Sequence, residues 1–313
     1  KHIQHRRFDY FMLEFRPIAL QDKDWIRPLM NYEHSRSADT SFGSMYLWSA
    51  GETRYVARVG DRVVLMLRES GAPVFLFPFG TGNLAPVIQE LKDYCDEMAK
   101  PLILLGITED YVPLLNKLFP GDFSIMRERR FDDYVYSAEK LATLAGKALH
   151  AKRNHINSFE STYRNWHFEP LKKKHIPLCL ELMEQWREAD PEHVERDVYD
   201  EQDSLLRGLH DFEALGMYGG LLWADDTPVA FTLGEPLGDD AFVVHFEKAV
   251  ADLRGAYPMI NREFVRYIMK LFPNVQYINR EDDMGLENMR KAKESYKPDL
   301  MVEKHTAVWE HHA

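Results

Sequence analysis

The chain has 313 residues, of which 45% are hydrophobic and 28% are charged, so it is long enough for two domains that each bury their own core. Its net charge of −11, from 39 basic and 50 acidic residues, excludes a protein that coats nucleic acid over its whole surface. No apolar run approaches the roughly 18 residues that a spanning helix needs, and the first residues do not resemble a signal peptide. We therefore expect a cytoplasmic protein without a transmembrane segment.

The first half of the chain predicts a sheet that begins with antiparallel strands. The segment 54–67 predicts two strands joined by a hairpin turn at Gly60-Asp61, and 74–79 predicts a third strand. Alternating helices and strands follow, with helices at 85–98 and 109–119 and strands at 102–107 and 123–136.

The second half repeats this order of elements. Three strands are predicted at 220–223, 228–233 and 241–249, followed by a helix at 258–272, a strand at 275–279, a helix at 286–296 and a strand at 300–309. Further helices are predicted at 141–159, 175–188 and 198–215. The repetition indicates an α/β fold of the α+β, mixed-sheet type, duplicated in tandem, with domains at 1–138 and 139–313 and the candidate active site in the second.

The predicted strand at 241–249 carries the clearest chemistry. A period of two places His245 and Glu247 on one face, and Glu235 ends the preceding hairpin arm close to them. Glu247 lies at the carboxyl end of the strand, where a partly buried carboxylate acts as a general base or positions an amine. The alternative is an exposed sheet face on which these side chains pair with neighbouring cations.

Two further segments offer polar groups near this strand. Arg254-Gly255 leads into the helix at 258–272, whose first N–H groups would hold a phosphate or carboxylate, although a purely structural turn fits the pattern equally well. Arg290, Lys293 and Tyr296 share one side of the next helix, which is either part of a site or a solvated face.

A basic segment at 146–175 stands out in an acidic chain, with seven Lys and Arg residues against two Glu. Aromatic residues are interleaved with the cations, a composition that suits nucleic-acid binding by phosphate attraction and base stacking. The candidate contacts are Lys152, Arg153, Asn154 and Lys172. A Lys-rich surface that only faces water explains the same pattern.

Several short strings together resemble one known family. They include Lys152-Arg153-Asn154-His155, His245-Phe246-Glu247-Lys248, Arg254-Gly255-Ala256-Tyr257, Asn261-Arg262-Glu263-Phe264 and Tyr277-Ile278-Asn279-Arg280. The chain resembles soluble bacterial proteins grouped with the C-terminal domain of phosphatidylglycerol lysyltransferases. This resemblance implies a tandem GNAT-like fold, related to the Fem peptidyltransferases, and transfer of an aminoacyl group from charged tRNA to an acceptor that is a small molecule, a peptide or a lipid.

The resemblance also implies roles for particular residues. Glu247 would be the general base or amine-positioning group with His245 as its neighbour, and Tyr257 or Tyr296 would protonate the leaving oxygen. Residues expected to bind the substrates or offset negative charge are Glu235, Lys248, Arg254, Gly255, Asn261, Asn279, Arg280, Arg290 and Lys293. No metal ligand is predicted, because the histidines lack metal-binding spacing.

Acetyl-CoA is the alternative donor, for a conventional N-acetyltransferase. The acetyl-CoA signature requires small residues after Arg254-Gly255, where this chain has Tyr257 and Met259, and these would crowd a pyrophosphate. Dinucleotide binding at the G-x-G-x-x-A string of 80–85 is disfavoured because Pro73 and Pro78 interrupt the strand before it. A non-catalytic protein that binds tRNA, a nucleotide or a peptide remains the non-enzymatic alternative.

Overall fold

The computed structural model describes residues 13–30, 34–49, 54–68, 72–189, 198–250 and 252–310. The strands are β1 Arg16–Pro17, β2 Arg54–Val59, β3 Arg62–Arg68, β4 Pro73–Leu76, β5 Phe79–Gly80, β6 Leu102–Thr108, β7 Ser124–Arg127, β8 Asp133–Ser137, β9 His167–Pro170, β10 Tyr218–Ala224, β11 Thr227–Leu237, β12 Ala241–Ala249, β13 Tyr277–Asn279, β14 Leu300–Val302 and β15 Lys304–Trp309. The helices are α1 Lys23–Met30, α2 Phe42–Leu47, α3 Leu84–Glu97, α4 Val112–Leu118, α5 Ala138–Thr143, α6 His150–Thr162, α7 Ile176–Ala189, α8 Val198–Leu215, α9 Ala256–Leu271 and α10 Glu287–Glu294.

The two halves have the same topology. In the first, β2, β3 and β4 are antiparallel neighbours, and α3 then leads to β6, which pairs parallel with β4. In the second, β10, β11 and β12 are antiparallel, and α9 leads to β13, which pairs parallel with β12. This repetition confirms the predicted α/β fold with two mixed sheets.

The last strand of each half belongs to the sheet of the other half. The eight-stranded sheet has the order β1-β2-β3-β4-β6-β15-β7, with β5 beside β3, and the seven-stranded sheet has the order β14-β8-β13-β12-β11-β10-β9. The single strands predicted at 123–136 and 300–309 are therefore wrong, because each segment divides into two strands that lie in different sheets. The proposed division of the chain at 138/139 stays a prediction.

Buried charged residues contact one another where the chain passes between the two sheets, from β7 to β8 and from β14 to β15. The Lys304 backbone N–H donates to Asp132 over 2.9 Å, and the Lys304 ammonium lies 2.8 Å from both Asp133 and Asp39. Asp132, Asp133 and Lys304 are all buried. Polar residues at this point interrupt the apolar alternation and allow each chain segment to leave one sheet and enter the other.

The helix predicted at 141–159 is also wrong as a single element. It separates into α5 and α6 because Leu144 and Gly146 take positive φ angles of 52° and 90° between them. The break lets α6 turn and pack against α9 over the seven-stranded sheet. This placement brings the amino-terminal half of α6 to the candidate site.

A shared core joins the two halves. Phe42 and Leu65 of the first half and Leu205, Phe231 and Phe246 of the second half belong to one buried cluster. Separate clusters lie beneath α3 and α4 on the first sheet and beneath α5, α6 and α9 on the second. The second sheet is therefore covered on both faces, and polar side chains on its strands are buried.

Candidate active site

The candidate site lies where β12 and β13 diverge. These parallel strands pair only from Ala241 opposite Tyr277 to Val243 opposite Asn279, whereas β12 continues to Ala249. Diverging carboxyl ends of parallel strands form a crevice that commonly binds ligands. Glu247 on β12 and Arg280 after β13 both lie in this crevice.

A β-bulge at His245 changes which residues share a face. Leu233 pairs with Phe246 and the next residue, Gly234, pairs with Val244, so His245 has no partner opposite it. The extra residue reverses the alternation. The prediction that His245 and Glu247 share a face is wrong: Glu247 contacts α9, whereas His245 contacts Glu235 and faces α2.

Glu247 is held by two donors. The Arg280 guanidinium donates from Nη2 to Oε1 over 2.9 Å, and the Asn261 amide donates from Nδ2 to Oε2 over 2.9 Å. The Glu247 side chain is 7% exposed and that of Arg280 is 14% exposed. Because burial in low dielectric strengthens both contacts, the orientation of this carboxylate is fixed.

Two polar atoms beside Glu247 lack a partner. Arg280 Nη1 and Asn261 Oδ1 are buried and make no hydrogen bond with any described residue. An unpaired buried donor or acceptor costs about 1–3 kcal/mol of folding free energy, so such atoms are rare unless they serve a ligand. Together they offer the two N–H groups of a guanidinium nitrogen and one amide oxygen to a bound molecule.

Lys152 and Tyr296 complete this group, which we call the Glu247 cluster: Lys152, Glu247, Asn261, Arg280 and Tyr296. The Tyr296 ring lies 4.0 Å from the Lys152 ammonium and 4.9 Å from the Arg280 guanidinium, measured to the ring centroid. Burial, with the charge of Arg280, lowers the pKa of Lys152 to about 8. The cluster has two cationic side chains and a single carboxylate.

Tyrosines form the wall of the crevice. The Tyr136 ring on β8 meets the Tyr296 ring edge-on at 6.5 Å, and its hydroxyl donates to the Lys293 carbonyl over 2.8 Å. Burial raises the pKa of Tyr257 and Tyr296 above the ordinary value, so both phenols keep their protons at neutral pH. Both phenols therefore carry the proton that the donor implied by the resemblance requires, and neither is ionised to act as a base.

His245 belongs to a second group, the His245 cluster: Arg27, Gly43, Glu235, His245 and Glu281. The protonated ring donates from Nε2 to Glu235 over 3.0 Å and from Nδ1 to Glu281 over 2.7 Å. Arg27 lies 2.9 Å from Glu235, and the Gly43 N–H donates to it over 2.7 Å. Although burial opposes the charge, the two carboxylates raise the pKa of His245 to about 9.

Other residues expected to bind substrate have local structural partners. Lys248 lies 2.8 Å from Glu201 on α8 and 3.7 Å from the centroid of the Trp186 ring on α7. Arg254 is exposed and donates weakly to His155. A Cβ on Gly255, where φ is +91°, would overlap the His155 carbonyl oxygen, so α6 covers the turn expected to hold a phosphate.

The predicted residues around β13 and α10 stabilise the backbone. Asn279 donates to the Arg36 carbonyl and to Asp133 over 2.7 and 3.0 Å. Arg290 lies 2.8 Å from the buried Asp283. Lys293 donates to the Arg280 carbonyl over 2.6 Å, which supports the loop that presents Arg280.

The four predicted nucleic-acid contacts differ in their exposure and in their partners. Lys152 is half-buried in the Glu247 cluster, and Arg153 donates to the Gly146 carbonyl over 2.7 Å. Asn154 is exposed on α6, 3.2 Å from His150, and Lys172 is exposed in the loop before α7. Nucleic-acid binding by this segment stays a prediction.

Sequence reasoning missed two members of the crevice. Tyr136 lies on β8, whose crossing into the second sheet has no local sequence signal. Lys152 was assigned to the basic segment, and its amphipathic position on α6 was the signal that placed it towards the core. The G-x-G-x-x-A string has a structural role, since Asn83 caps α3 and a Cβ on Gly80 would overlap the Asp61 carbonyl oxygen.

The residues that the structure describes include neither a candidate membrane-spanning helix nor a candidate metal site. None of the helices there combines the length and the apolar character that a membrane span requires. No three His, Cys, Asp or Glu side chains in that part of the chain are arranged to hold a metal ion.

Solved structures share this fold. A conserved protein of unknown function from Bacteroides thetaiotaomicron is 35% identical, with a TM-score of 0.90 over 95% of this chain and 100% of that chain. L-PGS from Bacillus licheniformis has a TM-score of 0.64 at 12% identity, over 95% of this chain and 93% of its own. The second similarity concerns the fold alone.

Sequence comparisons give the family. The uncharacterized protein MYCGA3080 of Mycoplasmoides gallisepticum is 25% identical over an alignment of 188 residues, and the match covers 55% of this chain and 54% of that protein. The chain thus spans about half the length of this curated relative. The family model for the C-terminal part of phosphatidylglycerol lysyltransferase matches residues 31–308. The chain therefore belongs to the family of phosphatidylglycerol lysyltransferase C-terminal domains.

Proposed function

We propose that this protein is an aminoacyltransferase that moves an aminoacyl group from charged tRNA to an acceptor at the Glu247 cluster. The observation that carries this proposal is the buried, unpartnered Nη1 of Arg280 beside a fixed carboxylate, in the crevice between β12 and β13. An ester donor needs a site that recognises its amino group and stabilises negative charge on its carbonyl oxygen. The cluster offers both.

Each side chain takes one part in this reaction. Glu247, held by Asn261 and Arg280, accepts a hydrogen bond from the α-ammonium group of the aminoacyl ester. Arg280 Nη1 donates to the carbonyl oxygen as it becomes an oxyanion in the tetrahedral transition state.

An acyl-CoA donor is less well supported. The turn at Gly255, where a pyrophosphate would approach the backbone, is filled by the His155 carbonyl of α6. An aminoacyl ester needs no pyrophosphate site there. The acceptor remains open among small molecules, peptides and lipids, since the cluster itself recognises only the reacting group.

Binding distinguishes the candidate donors. Purified protein is titrated with bulk aminoacylated tRNA, deacylated tRNA and acetyl-CoA at two salt concentrations. We expect salt-sensitive binding that prefers charged tRNA, and we expect Glu247→Gln to remove the preference while leaving the binding of deacylated tRNA unchanged. Tight acetyl-CoA binding without tRNA binding would overturn the proposal, and equal binding of both tRNAs by wild type and variant would favour the non-catalytic alternative.

A further inference from the structure

The Glu247 cluster needs a base for the incoming nucleophile, and the residues named so far do not supply one. Both Glu247 oxygens already accept hydrogen bonds, from Arg280 and from Asn261. Burial raises the pKa of Tyr257 and Tyr296, which keeps both phenols protonated at neutral pH. Transfer of an acyl group requires a base for the incoming nucleophile and an acid for the leaving oxygen.

Lys152 differs from the other lysines that are shielded from solvent. Lys248 lies 2.8 Å from Glu201, Lys304 lies 2.8 Å from Asp133, and Lys293 donates to a backbone carbonyl. Lys152 is half-buried, yet its ammonium makes no hydrogen bond or ion pair with the described residues and contacts only the face of the Tyr296 ring. A half-buried lysine that has a cation nearby and no acceptor among the described residues is an unusual arrangement.

The surroundings of Lys152 favour loss of its proton. The titratable and charged groups that face its ammonium are Arg280, Glu247 and Tyr296. Arg280 repels the ammonium and is already neutralising Glu247. Burial and this repulsion lower the pKa to about 8, so a tenth or so of the side chain is neutral at pH 7. A base whose pKa lies near the working pH is the effective one.

We propose that Lys152 is the proton-transfer residue of the site, an assignment that rests on the proposed aminoacyl transfer. The neutral amine takes the proton from the attacking O–H or N–H of the acceptor as the acceptor atom bonds to the ester carbonyl carbon. The bond from that carbon to the ribose oxygen of the donor then breaks, and the Lys152 ammonium returns the proton to that oxygen. No proton, electron or further reactant is consumed.

The lysines of the basic segment provide a matched control. Lys147 lies near α6 and is exposed, and it makes no contact with the Glu247 cluster. If Lys152 acts only by attracting tRNA, Lys147→Met and Lys152→Met should weaken tRNA binding alike. If it transfers protons, Lys152→Met alone should lower the rate of transfer while tRNA binding is unchanged.

Titration and kinetics test this assignment separately. The lysines are methylated reductively with ¹³C-formaldehyde, and the Lys152 signal is identified by its loss in Lys152→Arg. We expect it to titrate near pH 8 and to titrate higher in Arg280→Met, which lacks the neighbouring positive charge. In the transfer assay with charged tRNA, Lys152→Met and Lys152→Arg should each lower kcat by about 100-fold or more and remove the rate increase near pH 8.

These experiments distinguish a failure of the proposed function from a failure of the Lys152 assignment alone. Wild-type protein that transfers no aminoacyl group to any acceptor overturns the proposed function and the role of Lys152 with it. An active wild type in which the Lys152 signal does not titrate near pH 8, or in which Lys152→Met keeps the full rate, overturns only the assignment of Lys152.

Discussion

The two faces of β12 carry polar clusters of opposite character. On one face the His245 cluster is complete: both ring nitrogens have carboxylate partners, and Glu235 accepts from Arg27, Gly43 and His245. On the other face the Glu247 cluster is incomplete, since Arg280 Nη1 and Asn261 Oδ1 have no partner among the described residues. The comparison teaches that burial and charge do not by themselves mark a site, and that the Glu247 cluster differs from the His245 cluster in its unpaired donor and acceptor.

The complete cluster also explains how the halves hold together. Arg27 and Gly43 belong to the first half, and Glu235, His245 and Glu281 belong to the second. A buried network with every member satisfied fixes the relative position of the elements that contribute to it. We therefore interpret His245 as a structural residue and Glu247 as the functional one, in contrast to the joint role implied by the family resemblance.

Glu235→Ala should lower the unfolding free energy more than the other substitutions in the His245 cluster. Glu235→Ala leaves Arg27 without its carboxylate and His245 with one partner, and breaking a buried ion pair in this way costs about 3–5 kcal/mol of unfolding free energy. Urea denaturation measures the loss. The control is Asp239→Ala, which removes an exposed partner of His34 and should cost less than about 1 kcal/mol. Equal losses would contradict the structural role of the cluster.

A substitution at Gly43 should disturb the same cluster sterically. A Cβ there would overlap Glu235 Oε1 and lie 2.9 Å from His245 Nε2, so Gly43→Ala should destabilise the protein by about 2 kcal/mol although alanine favours helices. Gly208→Ala on α8 is the matched control. Its nearest neighbour is a Leu233 methyl group at 3.1 Å, which can move, and we expect a change below about 1 kcal/mol.

The pH dependence of the unfolding free energy should sharpen the comparison, with a smaller change over each pH unit. The pKa of His245 is raised to about 9 in the folded protein, so its contribution is complete below its ordinary value of 6.5 and is lost as the pH rises towards 9. We expect the unfolding free energy to fall by roughly 1 kcal/mol per pH unit in this window. His245→Gln should flatten the slope, and an unchanged slope would show that His245 is not charged in the folded protein.

The sequence predicts the elements better than their assembly. Alternation of apolar residues predicts β11, β12 and α9, and the position of Glu247 at the end of β12 follows from the chain alone. The bulge at His245 escapes such reasoning because it depends on how β11 pairs with β12. The exchange of β8 and β15 escapes it too, since periodicity indicates a strand and not the sheet that it joins.

In the candidate site, too, the sequence predicts most of the residues but not how all of them contact one another. Glu247, Asn261, Arg280 and Tyr296 are predicted from the sequence and meet in the structure, whereas Lys152 is predicted for another role. Its contact with Tyr296 joins α6 to the end of α10, far apart in the chain. The position of Lys152 on the apolar side of α6 is visible in the sequence, whereas its lack of a partner depends on tertiary packing.

The most direct test of the central claim is the effect of Arg280→Lys on transfer from charged tRNA. Lysine keeps a positive charge near Glu247 but removes the second guanidinium nitrogen, so we expect kcat to fall by about 100–1000-fold with little change in tRNA binding. Arg266→Lys, at an exposed ion pair on α9, should leave the rate unchanged. A full rate in Arg280→Lys would contradict the account, because the unpaired nitrogen would then have no part in the reaction.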